Sequence, residues 1–294
     1  MLIIQFRRVI QLRENNKQYD ALLLQISIST SVSLPTLIIS QFLGFKEANV
    51  YAVYNLVINA MISIISALSS GVSPMLGRSI AQGKNIGGAY NVYDYIVSYV
   101  ITVFFATTTV MILPFIQLYT NVVDDINYIH SSYALLICIW AAAYSYRIPV
   151  TAVVNAAAIY TKNRVSNIVN LVMQIVLGVI GTRILGIPGL LIVMIAAAIQ
   201  RNISLSINND KELLHCGIKN IIIRQIAMIL VIVCSHTIAT DAIYSKNLSV
   251  IGWCATGAIV LLIEILICGV IWMISDLEAF KKCKGIVRGK LAKI

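Results

Sequence analysis

Charged residues are scarce in this chain of 294 residues, since they make up only 12% of it while hydrophobic residues make up 59%. Soluble domains carry about 25% charged residues. A soluble fold would need a charged surface over this much apolar content. The composition therefore predicts an all-α, polytopic membrane helix bundle.

The sequence also lacks the patterns of common catalytic and metal sites. None of its 6 cysteines forms a pair with CxxC spacing, and most lie in apolar segments as small filler. Nothing resembles a nucleophile–base arrangement, a glycine-rich phosphate loop or a metal cluster. We therefore expect no enzyme, no metal and no cofactor. The net charge of +10 is explained below by membrane topology and not by nucleic-acid binding.

Apolar segments long enough to span a bilayer, roughly 20 residues each, recur about eight times. They cover residues 21–43, 50–76, 95–118, 133–160, 168–185, 188–207, 222–243 and 250–275. The fifth and sixth segments are joined by the tight turn GIPG, from Gly186 to Gly189. A single re-entrant hairpin is the alternative for this pair.

The positions of lysine and arginine orient the predicted spans. With the N-terminus in the cytoplasm, nearly all basic residues outside the membrane fall on the inside, and only Lys46, Arg183 and Lys246 fall outside. This count assigns Arg201 and Arg224 to a cytoplasmic connector. The positive-inside rule then places both termini in the cytoplasm, which agrees with an even number of spans.

Several predicted spans carry polar residues on one helix face, at steps of three and four. The stripes are Gln25, Ser29, Ser33, Thr36 and Ser40; Tyr51, Asn55, Asn59, Ser63, Ser66, Ser70 and Ser73; Asp94, Ser98, Thr102 and Thr109; and Asn163, Asn167, Asn170 and Gln174. Small polar residues also hold membrane helices together. Stripes on several helices nevertheless favour a shared hydrophilic cavity. Pro35, Pro74, Pro114 and Pro149 are expected to bend their helices around it.

Arg147 lies near the middle of the fourth predicted span, on the same helix face as Tyr144 and Asn155. An arginine at the bilayer centre costs roughly 2.5–3.5 kcal/mol on insertion scales. It therefore needs an aqueous cavity or an anion, and its guanidinium suits phosphate. The alternative is a buried, structural ion pair with Glu264, the one acid near the middle of another span.

Glu264 has two interpretations, a proton or sodium site and a protonated packing residue. Asp94 lies nearer the cytoplasmic end, where we expect a solvated carboxylate. Both are candidates for cation coupling. Among the amides, the bulky side chains of Asn55, Asn59 and Asn170 need more hydrogen-bond partners than a serine does. We include them with Arg147, Tyr144 and Asn155 as candidate substrate-binding residues.

Two blocks of sequence resemble polysaccharide flippases of the multidrug/oligosaccharidyl-lipid/polysaccharide exporter superfamily. One block is ANVYAVYNLVINAMISIISALSSGVSPMLGRSIAQGK, residues 48–84, and the other is YRIPVTAVVNAAAIYTKNRVSNIVNLVMQIVLGVIGTRILGIPG, residues 146–189. The block at 146–189 is similar to the family's Arg–x–Pro helix, Lys-containing loop, Asn-bearing helix and Gly–x–x–Gly hairpin. Relatives often have a glycine where this chain has Ala157–Ala158.

Such flippases usually have 12 to 14 helices in two lobes, and the match begins at a segment that resembles the start of the C-terminal lobe. The resemblance implies a basic cytoplasmic segment at 1–18, a six-helix lobe at 19–207, a connector with two trailing helices at 208–276, and a basic tail at 277–294 against anionic headgroups. The partner would be a missing N-terminal lobe or a second chain.

The resemblance further implies flipping of polyprenyl-diphosphate-linked oligosaccharide across the bacterial cytoplasmic (inner) membrane, in contact with membrane lipids and without nucleic acid. Arg147 would attract the diphosphate while the polar stripes solvate the sugar. Three rivals stay open: a multidrug or cation antiporter of the same superfamily, an inactive remnant or membrane scaffold, and an enzyme acting on lipid-linked sugars.

Overall fold

A computed structural model describes residues 2–83, 85–121, 126–214, 217–244, 249–277 and 279–281. Within these ranges, side chains are described except at 2–17, 212, 239–242 and 244. Every regular element in the described part of the chain is helical. The all-α prediction is therefore confirmed. The predicted contact of the basic tail with lipid headgroups concerns residues that lie almost wholly outside the described ranges.

The described residues form ten α-helices. They are α1 (Leu2–Phe42), α2 (Phe45–Ser69), α3 (Val72–Ala81), α4 (Gly87–Tyr119), α5 (Ser131–Ser145), α6 (Ile148–Ala157), α7 (Arg164–Val172), α8 (Gly178–Asn209), α9 (Lys219–Tyr244) and α10 (Val250–Ser275). A 3₁₀ turn, Thr161–Asn163, precedes α7, and a π-helical stretch, Met173–Leu177, joins α7 to α8. A second π-helical stretch, Asp210–Leu214, follows α8.

Seven segments of the described residues are long and apolar enough to cross a membrane, and one of them, Thr161–Asn209, has 49 residues. This segment reverses at Gly186, whose φ of 66° and ψ of −143° are not helical. Its two arms then run antiparallel, because Asn208 donates a hydrogen bond to the carbonyl of Lys162 at 3.1 Å. Counting the arms separately gives a counterpart for each of the eight predicted spans.

The hairpin needs glycine where its arms meet. A Cβ added to Gly181 would lie 2.8 Å from the carbonyl oxygen of Gly189, a distance at which the backbone must shift. Glycine at both positions therefore permits a close approach of the arms. Each arm contains more than 20 residues, roughly 35 Å of helix at about 1.5 Å per residue, so each is long enough to cross the bilayer.

Of the four prolines that were predicted to bend helices, two lie inside continuous helices and two lie where one helix ends and the next begins. Pro35 and Pro114 lie inside the continuous helices α1 and α4. Pro74 and Pro149 instead lie in the first turns of α3 and α6, where a missing N–H costs no intrahelical bond. The second and fourth predicted spans therefore each consist of two helices.

The helices pack as a main lobe, α1–α8, with α9 docked on α4 and α5, and α10 docked on α4. Helix α4 is the main docking surface, because both α9 and α10 pack against it. Tyr99 of α4 donates to the carbonyl of Ile265 at 2.9 Å, and Trp272 donates to the hydroxyl of Ser98 at 3.3 Å. In the main lobe, α1 packs on α2, α7 and α8, while α5 packs on α8, α4 and α2.

Within the described residues, the polar stripes do not line one shared cavity. The stripes of α4 and of α7 with its π-helical extension are buried between helices. By contrast, Gln25, Ser29 and Ser33 of α1 and Ser63, Ser66 and Ser70 of α2 are exposed at the surface of the bundle. The spacing of polar residues along a helix identifies its polar face. It does not show whether that face packs against another helix or lies at the surface of the bundle.

Candidate anion site around Arg147

Arg147 lies in the turn that breaks the fourth predicted span. The amide of Tyr146 still bonds to the carbonyl of Ala142 at 3.0 Å, and the amide of Thr151 bonds to the carbonyl of Arg147 at 2.9 Å. Between these bonds the chain passes from α5 into α6, which has Pro149 in its first turn. Because proline interrupts the helical bonding at this point, the arginine sits at a bend and not on a continuous helix face.

The guanidinium of Arg147 stacks on an aromatic ring. Its Cζ lies 4.1 Å from the centroid of Tyr144, and that ring is in turn 5.6 Å from the ring of Trp140. The hydroxyl of Tyr144 donates to the carbonyl of Ile28 on α1 at 3.3 Å. A cation–π contact of this kind holds the guanidinium plane without using its N–H donors. The donors thus stay available for a ligand.

Arg147 separates two polar cavities. The outer cavity has a volume of about 230 Å³ and lies between α2, α3 and α6. Its polar lining consists of Ser66, Ser69, Ser70, Ser73, Thr151 and Asn155 together with Arg147. The inner cavity has a volume of only about 10 Å³ and lies between α1, α5, α7 and α8, which is about the space that one water molecule needs.

A second arginine faces the inner cavity. Arg201, on the second arm of the hairpin, is only 2% exposed, and its Nε and Nη2 have no hydrogen-bond partner among the described residues. It lines the same cavity as Arg147, close enough for the two guanidinium groups to repel each other. Arg201 was not among the predicted binding residues, because the distribution of basic residues had assigned it to the cytoplasmic connector. Its position inside the predicted sixth span, 188–207, was the signal that should have identified it.

The alternative of an Arg147–Glu264 ion pair is not what the structure shows. Among the described side chains, no carboxylate lies within 4 Å of the charged nitrogens of Arg147 or Arg201. Glu264 is on α10, which packs against α4 and α9, and its partners there are Ser235 and the thiol of Cys268. Two cations therefore share one interior region without a described counter-charge.

The amides near the inner cavity are largely used to hold helices together. Asn170 donates to the carbonyl of Ala197 at 2.9 Å and accepts from Gln174 at 2.7 Å and from Ser27 at 3.3 Å. Gln174 also bonds the hydroxyl of Ser31 at 2.8 Å. This network joins α1 to both arms of the hairpin, so the predicted ligand Asn170 has a structural role as well as a place on the cavity wall.

The other predicted binding residues are only partly brought together. Tyr144 lines the inner cavity and Asn155 lines the outer one. Asn55 and Asn59 lie on α2, half-buried, and line neither cavity. Asn55 keeps a buried Oδ1 without a described hydrogen-bond partner, so it has capacity to bind but is not part of the Arg147 site.

Asp94 is not the solvated carboxylate that we expected. It is 1% exposed, and Arg224 of α9 binds it at 2.6 Å. Arg224 also binds Asp276 at 2.5 Å and the side-chain oxygen of Asn91 at 2.8 Å. The sequence analysis had assigned Arg224, like Arg201, to the connector. Burial of a carboxylate without a cation is costly, which explains why Asp94 is paired.

The cavity of about 480 Å³ between α2, α4 and α10 is apolar and does not include Arg147. Its walls are chiefly aliphatic and aromatic, as in Leu56, Phe104 and Trp253. An apolar space in a membrane protein is readily filled by lipid chains and supplies no recognition of charge. We therefore place the candidate site at Arg147. Within the described ranges, no group of three His, Cys, Asp or Glu side chains could hold a metal ion.

The fold and site together define a multi-pass membrane protein with two arginines inside its helix bundle that have no carboxylate partner among the described side chains. No protein-family model, curated protein or solved structure matches the chain.

Proposed function

We propose that this chain forms one lobe of a transporter that flips polyprenyl-diphosphate-linked oligosaccharide across the bacterial cytoplasmic membrane. The observation that carries the proposal is the position of Arg147, between two polar cavities and without a described carboxylate partner. A cation held this way inside a membrane protein is expensive unless it serves a ligand. A diphosphate offers several anionic oxygens to the bidentate donors of arginine.

The exposed polar faces support a second lobe or a second chain. Helices α1 and α2 cross the bundle with Ser29, Ser33, Ser63 and Ser66 at its surface, where lipid would be a poor neighbour. A facing lobe would enclose these hydroxyls in a wet cleft that solvates the sugar. The isoprenoid tail would stay in the bilayer. Rocking of the two lobes would then alternate access to the cargo.

The cationic site argues against the alternative of a multidrug or cation antiporter. No described carboxylate lines either cavity that contains Arg147, so a cationic drug there would meet only repulsion. For coupling to an ion gradient, we favour Glu264, which is 5% exposed and has no basic partner among the described ion pairs. Asp94, the other candidate, is already paired with Arg224.

Binding of a short-chain analogue tests the proposal directly. The purified full chain in liposomes is titrated with farnesyl diphosphate and, as the uncharged comparison, farnesol. We expect tighter binding of the diphosphate, and a loss of about tenfold or more in Arg147→Gln, because charge-assisted hydrogen bonds contribute about 1.5–3 kcal/mol. Arg183→Gln is the matched control, since Arg183 is an exposed arginine stacked on Phe42.

Equal affinity for the diphosphate and the alcohol would contradict the proposal. So would an equal loss of diphosphate affinity in Arg147→Gln and in Arg183→Gln, because a general effect of surface charge would then explain the binding. Preferential binding of a lipophilic cation such as tetraphenylphosphonium would favour the antiporter.

A further inference from the structure

Arg201 is a buried cation whose charge the proposed diphosphate cargo cannot neutralise. Its side chain is 2% exposed and faces a cavity with a volume of about 10 Å³. A diphosphate, with its many oxygens, cannot enter a space of this size. The guanidinium nevertheless keeps two nitrogens, Nε and Nη2, without a hydrogen-bond partner among the described residues.

The described residues around Arg201 supply no negative charge, and Oε1 of Gln174 is a neutral acceptor without a described partner. Arg147 lies on the same cavity and adds a second positive charge. Asn202 uses its amide to bond the carbonyl of Ala143 at 2.7 Å, and Gln174 uses its amide nitrogen on Ser31 and Asn170. No carboxylate among the described side chains lies within 4 Å of either guanidinium. A buried cation without an opposite charge is strongly unfavourable.

We propose that the inner cavity holds a single monatomic anion, chloride under cellular conditions, bound between the guanidinium groups of Arg201 and Arg147. Charge selects this ligand, and the small volume limits it to one monatomic ion. Chloride is larger than water, so Arg147, which also borders the outer cavity, has to shift outward to admit it. Water could accept hydrogen bonds from the two arginines but could not neutralise either of them. A halide does both, since it accepts several N–H donors and carries a full negative charge.

This anion would act as a fixed part of the fold at the base of the site. Arg201 belongs to the second arm of the hairpin, and Arg147 belongs to the turn between α5 and α6. A chloride bound to both would bridge two elements that otherwise repel each other. The inference does not rest on the proposed cargo, because it concerns the resident counter-charge of the empty transporter.

Replacement of chloride tests the inference on the unaltered full chain. The protein in detergent micelles is melted in sodium chloride and in sodium gluconate at equal sodium concentration, since gluconate is far too large for the cavity. Ligand binding to the native state raises stability by an amount that grows with ligand concentration. We expect a higher melting temperature in chloride, with a rise that is steep at low chloride and levels off once the site is full. Bromide should act in the same way.

Two variants locate the effect. Arg201→Met should abolish the difference between chloride and gluconate, while Arg183→Met, which removes an exposed arginine from the same hairpin, should keep it. If Arg201→Met does not fold, bromide soaked into crystals of the native chain gives an independent measurement by anomalous scattering. The inference is overturned if the native chain melts equally in both salts, if Arg201→Met keeps the chloride dependence, or if bromide leaves the inner cavity empty.

Discussion

The guanidinium of Arg224 bridges two carboxylates, with Nη1 at 2.6 Å from Asp94 and Nη2 at 2.5 Å from Asp276. These three residues come from α4, α9 and the segment that follows α10. All three side chains are nearly inaccessible. The cluster therefore joins the two trailing helices to the main lobe by charge, at the end of the bundle where α4 and α9 begin and α10 ends.

Replacing Arg224 should lower the stability of the fold far more than replacing an exposed arginine. Arg224→Met leaves two buried carboxylates without a cation, and breaking a buried pair in this way costs about 3–5 kcal/mol. Arg183→Met is the matched control, since Arg183 is exposed and its described contact is a stack on the ring of Phe42. The measurement is the fraction of protein that stays monodisperse after heating. Equal losses of monodisperse protein in the two variants would show that the cluster does not stabilise the fold.

Arg147 should be needed for transport and not for folding. Arg147→Ala removes a half-buried cation whose described side-chain contact is the stack on the ring of Tyr144. We therefore expect normal abundance in the membrane and loss of surface polysaccharide in the native host. Arg183→Ala serves as the control and should leave both unchanged. Normal polysaccharide in Arg147→Ala would exclude this residue from the mechanism.

The spans could be predicted from the sequence because a helix that crosses a bilayer must be predominantly apolar. Every apolar run of adequate length became a helix or one arm of a hairpin, and the reversal fell within the turn that glycine and proline had indicated at Gly186. Breaks at Gly71 and at Arg147 were harder to predict, since proline is compatible with both a bend and a new first turn. The presence of proline was informative, whereas its effect depended on the neighbouring helices.

The site was predicted only in part because its residues come from distant segments. Arg147 was identified from the free-energy cost of placing an arginine inside a bilayer. This cost can be judged without knowledge of the fold. Arg201 became part of the site only when the hairpin brought the second arm against α5. Asp94 and Arg224 are 130 positions apart in sequence, and no period within one helix indicates such a pair. Long-range contacts of this kind are set by tertiary packing and not by local pattern.

The exposed polar face of α2 should be wet in the assembled transporter. Single cysteines at Ser66 and Ser70, in a background without the native cysteines, are treated with a membrane-impermeant maleimide in intact cells and in inside-out vesicles. We expect labelling at both positions from at least one side of the membrane, because both serines line or adjoin the outer cavity. Leu68→Cys is the comparison, since Leu68 is 66% exposed but apolar and should be shielded by lipid.

Rapid labelling of Leu68→Cys with no labelling of the serine positions would reverse this assignment of faces. Protection of the serine positions by added farnesyl diphosphate, but not by farnesol, would further connect the wet face with the anionic cargo. The same protection in Arg147→Gln would argue that the ligand binds somewhere else.

The hairpin should be intolerant of side chains where its arms touch. Gly181→Ala places a Cβ 2.8 Å from the carbonyl oxygen of Gly189, so one arm must move, and overpacking of this kind costs about 1–3 kcal/mol. Gly71→Ala is the control, because its φ of −74° suits any residue and no atom lies within 4 Å of the added Cβ. Gly181→Ala should therefore lower thermal stability, while Gly71→Ala should leave it unchanged. Full stability in Gly181→Ala would mean that the arms do not approach as closely as the antiparallel hairpin requires.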